Sequence, residues 1–171
     1  MSTQNQKNSF LHPATAGKTI LLSGLIAGLL DATAGVIVYF IFKGLNPIQV
    51  LQYIASGAFG PNAFTGGLLT AFAGLIFHFT IAFAFAAAFF IIYPRVVLLQ
   101  RNIWITGLVY GLIIWSIMNL IVLPNSNTPK SPKDVVSIIE IMWHMALVGL
   151  PMALITSRYY AEHRSALSHS Y

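Results

Sequence analysis

Four apolar stretches, each longer than the roughly 18 residues that mark a membrane helix, take up most of this 171-residue chain. They run from Thr19 to Phe42, Gly66 to Tyr93, Ile103 to Leu123 and Val135 to Tyr160. A bilayer core offers no water to an unpaired N–H or C=O, so a spanning segment must be a helix or part of a closed barrel. The runs lack the alternation of barrel strands. That leaves an all-α, polytopic membrane protein with four transmembrane helices in an antiparallel bundle. Only 8% of the residues are charged, against about a quarter in soluble domains, which excludes a soluble enzyme. Cysteine is absent, which excludes disulfide frameworks, thiolate metal sites and cysteine nucleophiles.

Local chemistry marks the span ends. Lys43-Gly44 reads as a helix C-terminus, Tyr93-Pro94 and Pro124 close the second and third spans, and Ser131-Pro132-Lys133-Asp134 opens the fourth as a capping box with a first-turn proline. Between the first two spans, Asn46-Pro47 starts a short amphipathic helix over about 47–57, with Ile48, Leu51, Ile54, Ala55 and Ala58 on one face. It is expected to lie in the membrane interface, as a spacer over the bundle end or as a lid on a cavity. Residues 1–18 and 161–171 are expected to be tails, and the first apolar run, too long for a signal-peptide core, a retained helix.

The basic residues set an expected direction. Lys7, Lys18, Arg95, Arg101, Arg158 and Arg164 fall on one side, and Lys43, Lys130 and Lys133 on the other. The positive-inside rule then puts both termini in the cytoplasm. These residues scatter over span ends and form no basic face, so the expected partner is the lipid bilayer and not nucleic acid. A second copy or a larger membrane complex is the expected protein partner, if there is one.

Ionisable side chains inside a bilayer are costly and face the bundle interior. Asp31, His78 and His144 fall roughly 15–18 Å below the end that carries Lys43, at 1.5 Å per residue. Glu140 and Asn119 fall between that layer and the same end. Asp31 shares a helical face with Gly24, Gly28 and Gly35; His78 shares one with Ala71, Gly74 and Ala82; Glu140 shares one with His144 and Pro151. Small residues on these faces allow close helix approach. The layer suits several roles. It can be a hydrogen-bonded cluster fixing helix register. It can handle protons or ions, since histidine titrates near neutrality. It can hold a haem or divalent metal through His78 and His144, with a carboxylate beside them. The expectation is a non-enzymatic protein without a cofactor, haem or metal being the alternative. No serine–histidine–acid triad or phosphate loop is evident.

The pieces "HFTIAFAFAAAF" from His78, "YG" at Tyr110-Gly111, "MNLIVLP" from Met118 and "EIMWHMALVGLP" from Glu140 to Pro151 resemble the YagU-type group of small bacterial inner-membrane proteins. "IASGAFG" from Ile54 is similar to a piece of the broader set around that group. The acid four residues before the last-span histidine also matches. The resemblance covers the last two thirds of the chain; Asp31 and the first 18 residues fall outside it. It implies a four-helix bacterial inner-membrane protein and no particular reaction.

Overall fold

Small residues mark the closest helix contacts of this molecule, and large apolar side chains cover much of its outside, unlike a water-soluble bundle. The computed structural model describes residues 15–129 and 135–168. Its helices are α1 (Ala16–Lys43), α2 (Pro47–Phe59), α3 (Gly67–Ile92), α4 (Val97–Arg101), α5 (Ile103–Ile117), α6 (Val135–Trp143) and α7 (Leu150–Ser168). No strand occurs among the described residues. Four segments are long and apolar enough to cross a membrane: Ala16–Lys43, Gly67–Arg95, Ile103–Asn125 and Val135–Arg164. The chain is a multi-pass, all-α membrane protein. Ala27, Ala55, Ala86, Ala153, Ser56 and Thr156 are fully buried, while Leu68, Leu69, Phe72, Ile41 and Leu21 face outward. Chains of alanine and glycine inside let backbones approach closely in lipid, where no hydrophobic effect drives helices together.

Helix ends follow the local chemistry. Asn46 caps α2 in a reciprocal capping box with Gln49, and Gly44, at φ 66°, closes α1 in the left-handed region. The Ser131–Asp134 cap, and Lys7, Lys130 and Lys133, lie outside the described residues. α7 continues to Ser168, into the stretch expected as a tail. At that end Arg164 donates to the Gln100 side chain at 3.0 Å, joining α7 to the turn before α5.

α1 packs on α3 and on the last span, and α5 packs on the last span. α2 folds down onto α3: a Cβ on Gly74 would meet the Leu51 carbonyl oxygen at 1.9 Å. The third loop is tied to α2, since the Asn127 amide N–H donates to the Gly57 carbonyl at 3.0 Å.

Neither of the last two spans is a continuous α-helix. A π-helical turn covers Met118–Val122 and another covers His144–Gly149. Each stops two residues short of a proline, Pro124 and Pro151. A proline lacks the N–H and its ring crowds the carbonyl four residues back, which here is Leu120 or Leu147, both inside the π turns. The wider turn relieves that crowding. The second π turn presses backbone to backbone on α5: a Cβ on Gly149 would lie 2.2 Å from the Gly107 carbonyl oxygen and 2.3 Å from the Gly111 nitrogen.

Two predictions follow from this packing. Gly149→Ala has only backbone to displace, and should lower stability in detergent by about 1–3 kcal/mol. Gly35→Ala, with nothing within 4 Å of its Cβ, should not; equal melting temperatures for the two variants would show that the close contact is not formed. Among the described residues, the buried Thr156 hydroxyl has no hydrogen-bond partner. Thr156→Val should therefore raise the melting temperature, by relieving a desolvation cost of about 1–3 kcal/mol; a lower value would show that the hydroxyl has a partner.

Candidate functional site

A carboxylate sits at the centre of α1, and the bundle closes around it. Asp31 stands roughly 18 Å along the helix axis from Lys43. Its Oδ1 accepts a hydrogen bond from the Trp143 indole N–H at 2.7 Å. The same oxygen lies 3.7 Å from His144 Nε2, and Oδ2 lies 4.0 Å from His78 Nδ1. Three spans thus meet at one acid. The three side chains remain partly accessible, 23% for Asp31, 11% for His78 and 12% for His144, because they form part of a cavity wall.

The other nitrogen of each ring is taken by backbone. His78 Nε2–H donates to the Gly28 carbonyl at 2.8 Å, and His144 Nδ1–H donates to the Glu140 carbonyl at 2.7 Å. A carbonyl only accepts, so these contacts fix where each neutral imidazole keeps its single N–H. The nitrogen that faces Asp31 is then a bare lone pair on both rings. An ionised Asp31 between two neutral rings sets acceptor against acceptor. One added proton turns either contact into a charge-assisted pair.

Glu140 stands one turn above His144. Tyr39 donates to its Oε1 at 2.6 Å and the Trp115 indole to its Oε2 at 3.4 Å. The Asn119 amide donates to the Trp115 carbonyl at 3.2 Å. Glu140 and Asn119 line the same cavity as Asp31, His78 and His144 without touching Asp31 directly. The cavity measures about 550 Å³, within the range of small-molecule sites. Among the described residues its rim includes exposed Lys43, Pro124 and Pro129, and its floor includes buried Ala27, Ile114, Val148 and Met152. It opens at the end that carries α2, and Val50, Tyr53 and Ile54 of that helix form part of the wall.

The sequence left haem or metal at His78 and His144 as the alternative; both rings turn one nitrogen toward Asp31. No group of three or more His, Asp or Glu converges as a metal-binding set among the described residues.

Sequence reasoning missed the donors Tyr39, Trp115 and Trp143. Their spacing carried a signal: Trp143 adjoins His144, and Tyr39 lies eight residues after Asp31 on nearly the same face of α1. They were not singled out because a buried N–H or O–H is informative only once its acceptor is located. Comparisons with family models, curated proteins and solved structures return no match.

Tyr53, on α2, reports on the charge of the cavity. Burial first, and the negative charge of Glu140 second, push its phenol above the ordinary tyrosine range. Folding raises this pKa, so the folded state holds the proton more tightly and loses stability only as pH climbs past about 10. In an ultraviolet difference titration, Glu140→Gln should move the Tyr53 transition down but leave it above the ordinary value. Tyr53→Phe should remove that transition. An unmoved transition in Glu140→Gln would mean that Glu140 carries no charge toward the phenol.

Proposed function

We propose that this chain is a non-enzymatic membrane protein that binds and exchanges a proton at mid-membrane, through the Asp31–His78–His144 cluster. The observation that carries this reading is the hydrogen-bonding of the two imidazoles. Each commits its N–H to a backbone carbonyl and points a basic nitrogen at the same carboxylate. A cluster meant only to lock helix register would point N–H groups at that acid, as Trp143 does. The cavity supplies the route for the proton from one end, while the buried Ala27, Ile114, Val148 and Met152 block it from the other.

On the positive-inside reading, with Lys18, Arg95, Arg101, Arg158 and Arg164 cytoplasmic, the cavity faces away from the cytoplasm of a bacterial inner membrane. We place the chain with the YagU-type group on the Glu140-to-His144 spacing and the "MNLIVLP" piece.

The test is a potentiometric titration of the purified protein through the neutral range. The wild type should take up on the order of one proton more than Asp31→Asn. His78→Gln and His144→Asn each keep a donor for the backbone carbonyl, in the place of Nε2 and Nδ1 respectively, but cannot titrate. Each should shift the midpoint, and the double variant should remove the extra uptake. If the variants lose thermal stability while proton uptake matches the wild type, the cluster is a structural tie and the reading fails.

A further inference from the structure

At the level of the acids the polar wall of the cavity offers acceptors, while Lys43, Tyr53 and Ser137 add donors elsewhere in the lining. The donors at the level of the acids are already engaged: Trp143 N–H by Asp31, Tyr39 O–H and Trp115 N–H by Glu140, and the Asn119 amide by a backbone carbonyl. What remains is a set of acceptors, namely the second lone pairs of both carboxylates and the bare nitrogens of His78 and His144. A ligand that satisfies such a wall brings its own N–H groups and a positive charge. The rest of the lining is apolar, and Ile81, Phe85 and Met118 also line a neighbouring apolar groove that includes Ala88 and Val122. An apolar tail therefore has a continuous path away from the acids.

We propose that the cavity binds a primary organic ammonium ion with an apolar body, and that the bound cation displaces the proton held by Asp31, His78 and His144. This rests on the proton-binding reading and names the ligand of that same site. Every titratable group around Asp31 enters the balance: Tyr39 and Lys43 on α1, Tyr53 on α2, His78 on α3, Glu140 on α6 and His144 on the π turn. α5 adds Trp115, the π turn after it Asn119, and α7 Met152, none of which titrates. Lys43 stands at the exposed rim, twelve positions along α1 from Asp31, so the positive head passes it to reach the acids. Cation and proton compete because both answer the same deficit. One positive charge satisfies the carboxylate and the facing lone pairs, and a second would meet the first across a few ångströms of low-dielectric wall.

The experiment is calorimetric binding of hexylammonium and phenethylammonium to the full-length protein in nanodiscs, with hexanol as the neutral control. Each titration is repeated in two buffers of different ionisation enthalpy. Both ammonium ions should bind and hexanol should not. Affinity should weaken by about tenfold per pH unit on the acid side, with close to one proton released per cation. Asp31→Asn should weaken binding by about tenfold or more, while Thr33→Ala, on the exposed face of α1, should leave it unchanged. Hexanol binding as tightly as the amine, or cation binding that ignores pH and Asp31→Asn, would overturn the proposal. If the ligand-free titration shows the extra proton but neither amine binds, this inference falls and the proton site stands.

Discussion

A carboxylate in the middle of an apolar helix is the constraint from which the rest of this structure follows. Taken out of water without partners, an ionised aspartate costs several kcal/mol or changes its protonation state. Asp31 meets that cost with an indole N–H from the last span and a cavity wall that leaves the carboxylate partly accessible, while the imidazoles of His78 and His144 stand 4.0 and 3.7 Å from its oxygens. Each needs a helix backbone at a particular distance. The tolerance is small, because a shift of about 1 Å turns a hydrogen bond into a bare dipole. The interior of small residues provides that control, since alanine and glycine set helix separation by backbone contact with little side-chain adjustment.

The two π turns belong to the same account. Pro151 crowds the Leu147 carbonyl, and the turn that absorbs this crowding begins at His144. His144 is thereby placed on widened backbone that rests on Gly107 and Gly111. Its Nδ1–H reaches the Glu140 carbonyl, one turn back in α6. Proline, glycine and histidine thus meet in one stretch: the proline crowds the turn, the glycines receive it, and the histidine stands at its start.

Much of the architecture was legible in the sequence because lipid permits so few solutions. Length and apolarity required four helices, and Gly44, Pro47 and Asn46 marked their limits. The helical faces of Asp31, His78 and His144 were legible too, since charged groups must turn inward and small residues mark the inward face. The π turns were not. Their cause is a local crowding that a proline creates one turn upstream, and a regular 3.6-residue period conceals it. Gly74 was read as an approach point between transmembrane helices, whereas it receives Leu51 of α2; a small residue announces close contact but not its partner. The tautomers were out of reach as well. They depend on the carbonyls of Gly28 and Glu140, and a backbone oxygen leaves no trace in an amino-acid sequence.

The site is also asymmetric along the bundle. Toward α2, Asp31 looks up a cavity past Glu140, Tyr39 and Tyr53 to an exposed rim. Away from α2, the same face of α1 continues through Ala27, Ser23 and Thr19, with relative exposures of 0%, 1% and 3%. Thr156 on α7 is likewise sealed, and among the described residues neither it nor Ser23 has a hydrogen-bond partner for its hydroxyl. The layer of Ala27, Ala86, Ile114, Val148 and Met152 is apolar and buried. On the α2 side Asp31 therefore faces a partly polar cavity wall, and on the other side an apolar layer that separates the acid from the buried Ser23 and Thr19 on the same face of α1.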